Sequence, residues 1–246
     1  MGCTAVLTAA GSGSRLGRPV PKALVPLAGT ALVVHAARAL AAAGVVDRIV
    51  VTAPAGHVDD VAALFPGGSV GPASDGARPV PVVVVAGGTT RQASVAAALA
   101  TLPLPDGPAV VIVHDAARAL APPALVRRVV DAVLAGAPAV VPGLAVTDTV
   151  KQVAATPDGG WLVIGTPERS ALRAVQTPQG FDHRLLVRAH AAAADRRDDE
   201  ARAVSDDAGL VELLGEPVRL VAGEERALKI TTAADLMTAE RWLSRS

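Results

Sequence analysis

The residues that most restrict what this chain can fold into are short, almost uninterrupted runs of branched apolar side chains. Residues 80–86 read Val-Pro-Val-Val-Val-Val-Ala and residues 109–113 read Ala-Val-Val-Ile-Val. A strand without polar alternation has no face to give to water, so it belongs in a sheet covered by helices on both sides. Other strand patterns fall at 4–9, 48–53 and 139–142, and helical patterns between them at 30–43, 57–65, 91–102 and 122–134. The segment 66–79, rich in Gly, Ser, Ala and Pro, reads as a surface loop. This strand–helix alternation predicts an α/β fold: a mostly parallel, Rossmann-like sheet with helices on both faces. Ligands of such sheets sit beyond the carboxyl ends of the strands.

The rhythm breaks after residue 144. Pro157-Asp158-Gly159-Gly160 separates two β-prone runs within 151–166, a hairpin signature that predicts an arm at about 147–167 projecting from the sheet. A polar helix at 182–194, a charged linker at 195–202, short strands at 218–221 and 228–230, and a helix at 233–243 complete the pattern. The 246 residues are expected to form one domain, 1–246, including the arm.

Between the first strand and the first helix lies Thr8-Ala9-Ala10-Gly11-Ser12-Gly13-Ser14-Arg15-Leu16-Gly17, followed by Pro21-Lys22. Gly11 and Gly13 let successive N–H groups converge on one concavity, which suits phosphate oxygens, and Arg15 and Lys22 add positive charge. A plain surface loop has the same composition. Two familiar phosphate loops do not match: five residues after Gly11 stands Leu16, and Lys22 is followed by Ala23 where a Walker loop needs Ser or Thr. The second strand ends in Thr52-Ala53-Pro54, without the ribose-binding acid of a dinucleotide fold, so a nicotinamide dehydrogenase is disfavoured.

Composition narrows the classes further. No apolar run approaches twenty residues and no signal peptide precedes the first strand, so neither a membrane span nor export is expected, and a cytoplasmic location follows. Cys3 is the single cysteine, which excludes a disulfide framework. Zero formal charge with two Phe, two Trp and no Tyr argues against nucleic-acid binding. Of 23 basic residues only Lys22, Lys151 and Lys229 are lysine. A chain that meets generic needs with arginine keeps lysine where a compact ammonium is required.

Further motifs carry candidate chemistry. Gly87-Gly88-Thr89-Thr90-Arg91-Gln92-Ala93-Ser94 joins a strand to a helix. Its glycines admit a base or ribose, a threonine could cap the helix, and Ser94 is read as a ligand contact. His114-Asp115-Ala116-Ala117-Arg118 follows the valine strand directly, where Asp115 could meet magnesium and Arg118 an anionic group, or the two could simply cap and pair. Asp148-Thr149-Val150-Lys151, Arg169, Gln176-Thr177-Pro178-Gln179-Gly180 and Ser205-Asp206-Asp207-Ala208 add polar groups to the second half. Lys229, expected inside an apolar strand, calls for an anionic partner.

In this order these motifs, together with Thr166-Pro167-Glu168-Arg169 and Leu228-Lys229-Ile230-Thr231, resemble the 2-C-methyl-D-erythritol 4-phosphate cytidylyltransferase family over nearly the whole chain. The resemblance implies a nucleotidyltransferase domain whose β-arm clasps a second copy in a homodimer. It also implies a magnesium-dependent reaction of CTP with 2-C-methyl-D-erythritol 4-phosphate, releasing pyrophosphate, in non-mevalonate isoprenoid synthesis. By that resemblance Arg15 and Lys22 stabilise the transition state on the triphosphate, and Arg169 and Lys229 position the incoming phosphate. The Ala9, Ala10, Gly11 and Gly13 backbone with Gly88 and Ser94 holds cytidine, and Asp115 serves the ribose or the metal. Arg118, Thr149 and Thr177 line the sugar-phosphate pocket.

The sequence departs from the family pattern at Thr8 and Ala119, where proline is usual, and at Arg226, where an acid is common three residues before the lysine; no acid's role is carried over there. Nothing follows the terminal helix, so the form fused to the next cyclase of the pathway is not expected. Two rivals stand beside this reading: a cytidylyltransferase for ribitol 5-phosphate or another pentitol phosphate, and a non-catalytic nucleotide sensor. The combination of Lys22, Arg169 and Lys229 disfavours the sensor.

Overall fold

The structure is a computed structural model and describes residues 2–11, 20–71, 78–104 and 106–244. In chain order its strands and α-helices begin with β1 Cys3–Thr8, a two-residue ribbon of β2 Pro26–Leu27 and β3 Thr30–Ala31, α1 Leu32–Ala42, β4 Arg48–Ala53 and α2 Val58–Ala62. There follow β5 Ser69–Val70, β6 Val80–Ala86, α3 Arg91–Leu99, β7 Val110–Asp115, α4 Pro123–Leu134 and β8 Ala139–Ala145. The remainder is β9 Gln152–Ala155, β10 Trp161–Gly165, β11 Arg173–Val175, β12 Gln179–Asp182, α5 His183–Ala192, α6 Asp207–Leu213, β13 Arg219–Ala222 and α7 Ala233–Leu243.

The main sheet runs β11-β8-β12-β7-β1-β4-β6-β5, with β13 also on β8. Strands β7, β1, β4 and β6 are mutually parallel. β12 enters antiparallel to both β7 and β8. Alternate residues of the parallel strands feed the two faces. Ala5 and Leu7, Ile49 and Val51, and Ile112 pack with α1, α2 and α4, while Val6, Val50, Val111 and Val113 pack with α3, α5 and α6. This two-sided burial is why the runs are apolar throughout, and every residue of β7 is buried. The valine strand β6 lies nearer the edge, because only two-residue β5 pairs its outer side, and Val83, Val84 and Val85 are half-buried.

Most expected elements form within a residue or two of their expected ends, and the hairpin arm is present as antiparallel β9–β10. Three expectations are corrected. Residues 228–230 are not a strand: a 3-10 turn, Glu225–Ala227, leads into an extended segment whose Ile230 N–H donates to Ala117 O at 2.8 Å. The strand expected at 139–142 continues through Gly143 and Leu144 to Ala145, because β11 pairs its far end. Finally, β11, β12 and α6 emerge from segments read only as polar motifs, since each is too short to show a period.

Candidate active site

The carboxyl ends of β1 and β7, with the loop after β6, surround a cleft of about 490 Å³. Its wall includes Thr8 to Gly11 after β1, Gly88 to Arg91 and Ser94 around the start of α3, Asp115 at the end of β7, and Lys22 and Lys229. The position follows from the topology: parallel strands end together there, and the connecting loops leave a crevice.

Tight packing explains the glycine pair after β6. A Cβ on Gly88 would lie 2.3 Å from Ala93 Cβ, and one on Gly87 would lie 2.7 Å from Ala10 Cβ and 2.8 Å from Ser94 Oγ. Gly87 therefore brings the loop after β6 directly against the Ala10 methyl of the loop after β1. Thr90 caps α3, its hydroxyl accepting the Ala93 N–H at 3.0 Å. Ser94 lines the cleft and also ties the loop down, accepting the Gly88 N–H at 3.1 Å and donating to Thr90 O at 2.9 Å. Ala9 continues the sheet through its N–H, which donates to Thr52 O at 2.9 Å, so that N–H is committed to the fold.

Asp115 is the electrostatic centre. Its Oδ1 receives Arg91 Nε at 3.2 Å and the Thr8 hydroxyl at 3.2 Å, and its Oδ2 meets Lys229 Nζ at 2.8 Å. Burial alone would raise its pKa, but Arg91 and Lys229, with a smaller pull from Arg118, hold the carboxyl well below the usual range. The anion that Lys229 requires is thus a carboxylate of this same chain. Arg91 is shared: its Nη1 reaches Asp207 Oδ2 at 2.6 Å. Burial opposes its charge, yet Asp207 and Asp115 together raise its pKa above the ordinary value.

Behind Asp115 lies a buried relay. Thr177 Oγ1 accepts the Asp115 N–H at 3.0 Å and lies 3.0 Å from His114 Nδ1. His114 Nε2 lies 3.3 Å from Arg118 O, a pure acceptor, so Nε2 carries the proton and Nδ1 accepts from the threonine hydroxyl. Burial, against the pull of Asp115 and with help from Arg118, pushes this imidazole down to about 4, leaving it neutral near pH 7.

The cleft gathers Ala9, Ala10, Gly11, Lys22, Gly88, Ser94, Asp115 and Lys229 from the expected set. Arg15 and Gly13 lie outside the described residues. Four others stand apart from its wall. Arg118 is drawn to Ala227 O at 2.7 Å and Val175 O at 3.4 Å. Thr177 is buried under Asp115, and Thr149 and Arg169 are exposed near the arm, Arg169 Nη1 donating to Thr147 O at 2.6 Å. Sequence reasoning assigned no role to Thr8, Arg91 or Glu200, all of which line the cleft. Arg91 stands at the first position of a helix entered from a glycine pair, which was a usable signal; Glu200, in a charged linker, offered none.

Among the described residues, Lys22, Arg91 and Lys229 line the cleft against two carboxylates, Asp115 and Glu200. A crevice of this kind neutralises and aligns an anionic chain, which is the demand of phosphoryl chemistry. Fold and site together define an α/β nucleotidyltransferase. The family model for 2-C-methyl-D-erythritol 4-phosphate cytidylyltransferase matches residues 3–245, and the chain belongs to that family. The enzyme of that name from Nocardia farcinica is 51% identical over 241 residues, covering 98% of this chain and 94% of the relative. That from Streptomyces coelicolor is 48% identical over 98% of this chain and 84% of the relative. The crystal structure of the Thermus thermophilus enzyme matches with a TM-score of 0.71, 36% identity and full coverage of both chains.

Proposed function

We propose that the cleft joins CTP and 2-C-methyl-D-erythritol 4-phosphate to give 4-diphosphocytidyl-2-C-methyl-D-erythritol and pyrophosphate, a step of non-mevalonate isoprenoid synthesis. The observation that carries this is the convergence of Lys22, Lys229 and Arg91 on the glycine-lined end of the sheet, in a chain half identical to relatives named for that activity. The phosphate of the sugar alcohol attacks the α-phosphorus in line and pyrophosphate leaves. Both reactants are anions, so the protein's work is alignment and charge neutralisation.

In this reading Lys22, with Arg15 seven residues before it in the sequence, faces the triphosphate where charge develops. The Gly87–Gly88 loop and Ser94 hold the nucleoside, with Asp115 oriented toward the ribose. Lys229 neutralises the incoming phosphate. Asp115 also suits a magnesium ion carried by the triphosphate: a carboxylate has about four acceptor positions, and Arg91, Thr8 and Lys229 use three. Magnesium there would offset phosphate charge.

We further propose that the chain works as a homodimer through the arm. Trp161, Leu162, Val163 and Ile164 form a continuous apolar strip on β10, 71%, 60%, 54% and 56% exposed. Such a strip calls for a partner. Arg169 follows the arm, so pairing two copies is the means by which it and Thr149 would approach a sugar phosphate. We place the reaction in the cytoplasm, where CTP is available, and treat residues 1–246 as one nucleotidyltransferase domain. No described helix is long and apolar enough to cross a membrane.

Pyrophosphate release measured with CTP and magnesium, comparing 2-C-methyl-D-erythritol 4-phosphate with ribitol 5-phosphate, tests the assignment. Turnover is expected to favour the methylerythritol substrate; equal or faster turnover of ribitol 5-phosphate overturns it.

A further inference from the structure

Arg91 is a cation of the cleft divided between two carboxylates. Asp207, its second partner, is 1% exposed and does not line the cleft. Its other oxygen, Oδ1, lies 2.9 Å from His190 Nε2 on α5, and His190 is itself buried. An ionised carboxylate only accepts, so the imidazole N–H donates. The chain of contacts His190–Asp207–Arg91–Asp115–Lys229 thus runs from the helical layer to the reaction cleft through α5, α6, α3, the end of β7 and the last loop.

The far end of this chain is fastened independently. Asp206 caps α6, accepting the Gly209 N–H at 3.0 Å, and receives Gln179 Nε2 at 2.7 Å, while Gln179 Oε1 accepts the Ala208 N–H at 3.2 Å. Gln179 begins β12, a strand hydrogen-bonded to β7. The start of α6, and with it Asp207, is thereby tied to the strand that carries Asp115.

We infer that Asp207 and His190 are positioning residues for the cytidylyl transfer: they draw Arg91 back from the cleft so that only its Nε meets Asp115, leaving Oδ2 to Lys229. The inference rests on the reading of the cleft given above. A guanidinium offered one carboxylate takes it through two parallel N–H groups. Without the Asp207 charge, Arg91 closes on both oxygens of Asp115 and releases Lys229. Asp115 then turns from the ribose, and the ammonium loses the place from which it meets the incoming phosphate.

The variants are Asp207→Asn, Asp207→Glu, His190→Gln, Arg91→Met and the double variant Arg91→Met/Asp207→Asn, in the full-length protein. Cytidylyl transfer is measured with CTP and 2-C-methyl-D-erythritol 4-phosphate. Asp207→Asn is expected to lower kcat/KM at least tenfold, mostly in kcat, with Asp207→Glu recovering part and His190→Gln losing less. The double variant should be no slower than Arg91→Met alone, since the two residues act in series. A second readout needs no turnover. Only three lysines are present, so acetylation of each is followed by mass spectrometry, and Lys229 should be acetylated at least threefold faster in Asp207→Asn. Wild-type inactivity together with faster Lys229 labelling would refute the assigned reaction and leave the positioning intact. Unchanged Lys229 labelling, or losses of Arg91→Met and Asp207→Asn that multiply, would overturn the positioning role and leave a structural ion pair.

Discussion

Replacing Thr177 by valine separates two roles that its position in the sequence does not distinguish. A sugar-phosphate contact would make the hydroxyl matter to substrate affinity alone. In the structure the hydroxyl is buried and serves two groups of the fold: it accepts the Asp115 N–H at 3.0 Å and donates to His114 Nδ1 at 3.0 Å. Valine keeps the shape and removes both bonds, leaving one donor and one acceptor without partners. A buried polar group left unsatisfied costs about 1–3 kcal/mol, so the pair sums to about 2–6 kcal/mol. No water fills the gap unless room opens beside the methyl group, and the site is packed: His114 is fully buried and Asp115 nearly so. Urea unfolding at pH 7.5, followed by tryptophan fluorescence and circular dichroism, reads this directly. Thr177→Val is expected to lower the unfolding free energy by about 2–6 kcal/mol, and Thr177→Ser, which keeps the oxygen, by about 1 kcal/mol or less. A loss below about 1 kcal/mol for valine, or equal losses for valine and serine, would refute the relay beneath Asp115.

Two further expectations follow from the cleft and the core. Lys22→Ala should lower turnover by roughly 10²–10³ or more while leaving the unfolding transition in place, the size of effect found when one group acting on transition-state charge is removed. Near-normal turnover would take the first loop out of the mechanism. Burial, reinforced by Asp47, pushes the Cys3 thiol up to about 12, so the folded protein should resist iodoacetamide at pH 8 and react only once unfolded in urea. Rapid labelling of the native protein would show that β1 opens at its start.

The sequence by itself determined what is local. Valine runs with no polar phase specify two-sided burial, and β7, with all six residues buried, obeys that rule. A carboxylate directly after such a run lies at the strand's carboxyl end, so Asp115 was readable as a cleft residue, as were the glycines that neighbouring backbone crowds. A turn of Pro, Asp and Gly between β-prone runs was enough to place the arm. Periodicity carries no information on which strand lies beside which, so the insertion of β12 between β7 and β8 could not be read. That insertion decides much of the site: it places Thr177 beneath Asp115 and, through Gln179, ties the start of α6 to the same sheet. Charge pairing was equally out of reach, because Arg91 and Asp207 are separated by 116 residues and meet only after the helices pack. Lys229 shows the limit most clearly. An anionic partner was expected from an apolar strand that does not form, and that the partner is Asp115 depends on how the last loop crosses the end of β7, where Ile230 bonds to Ala117.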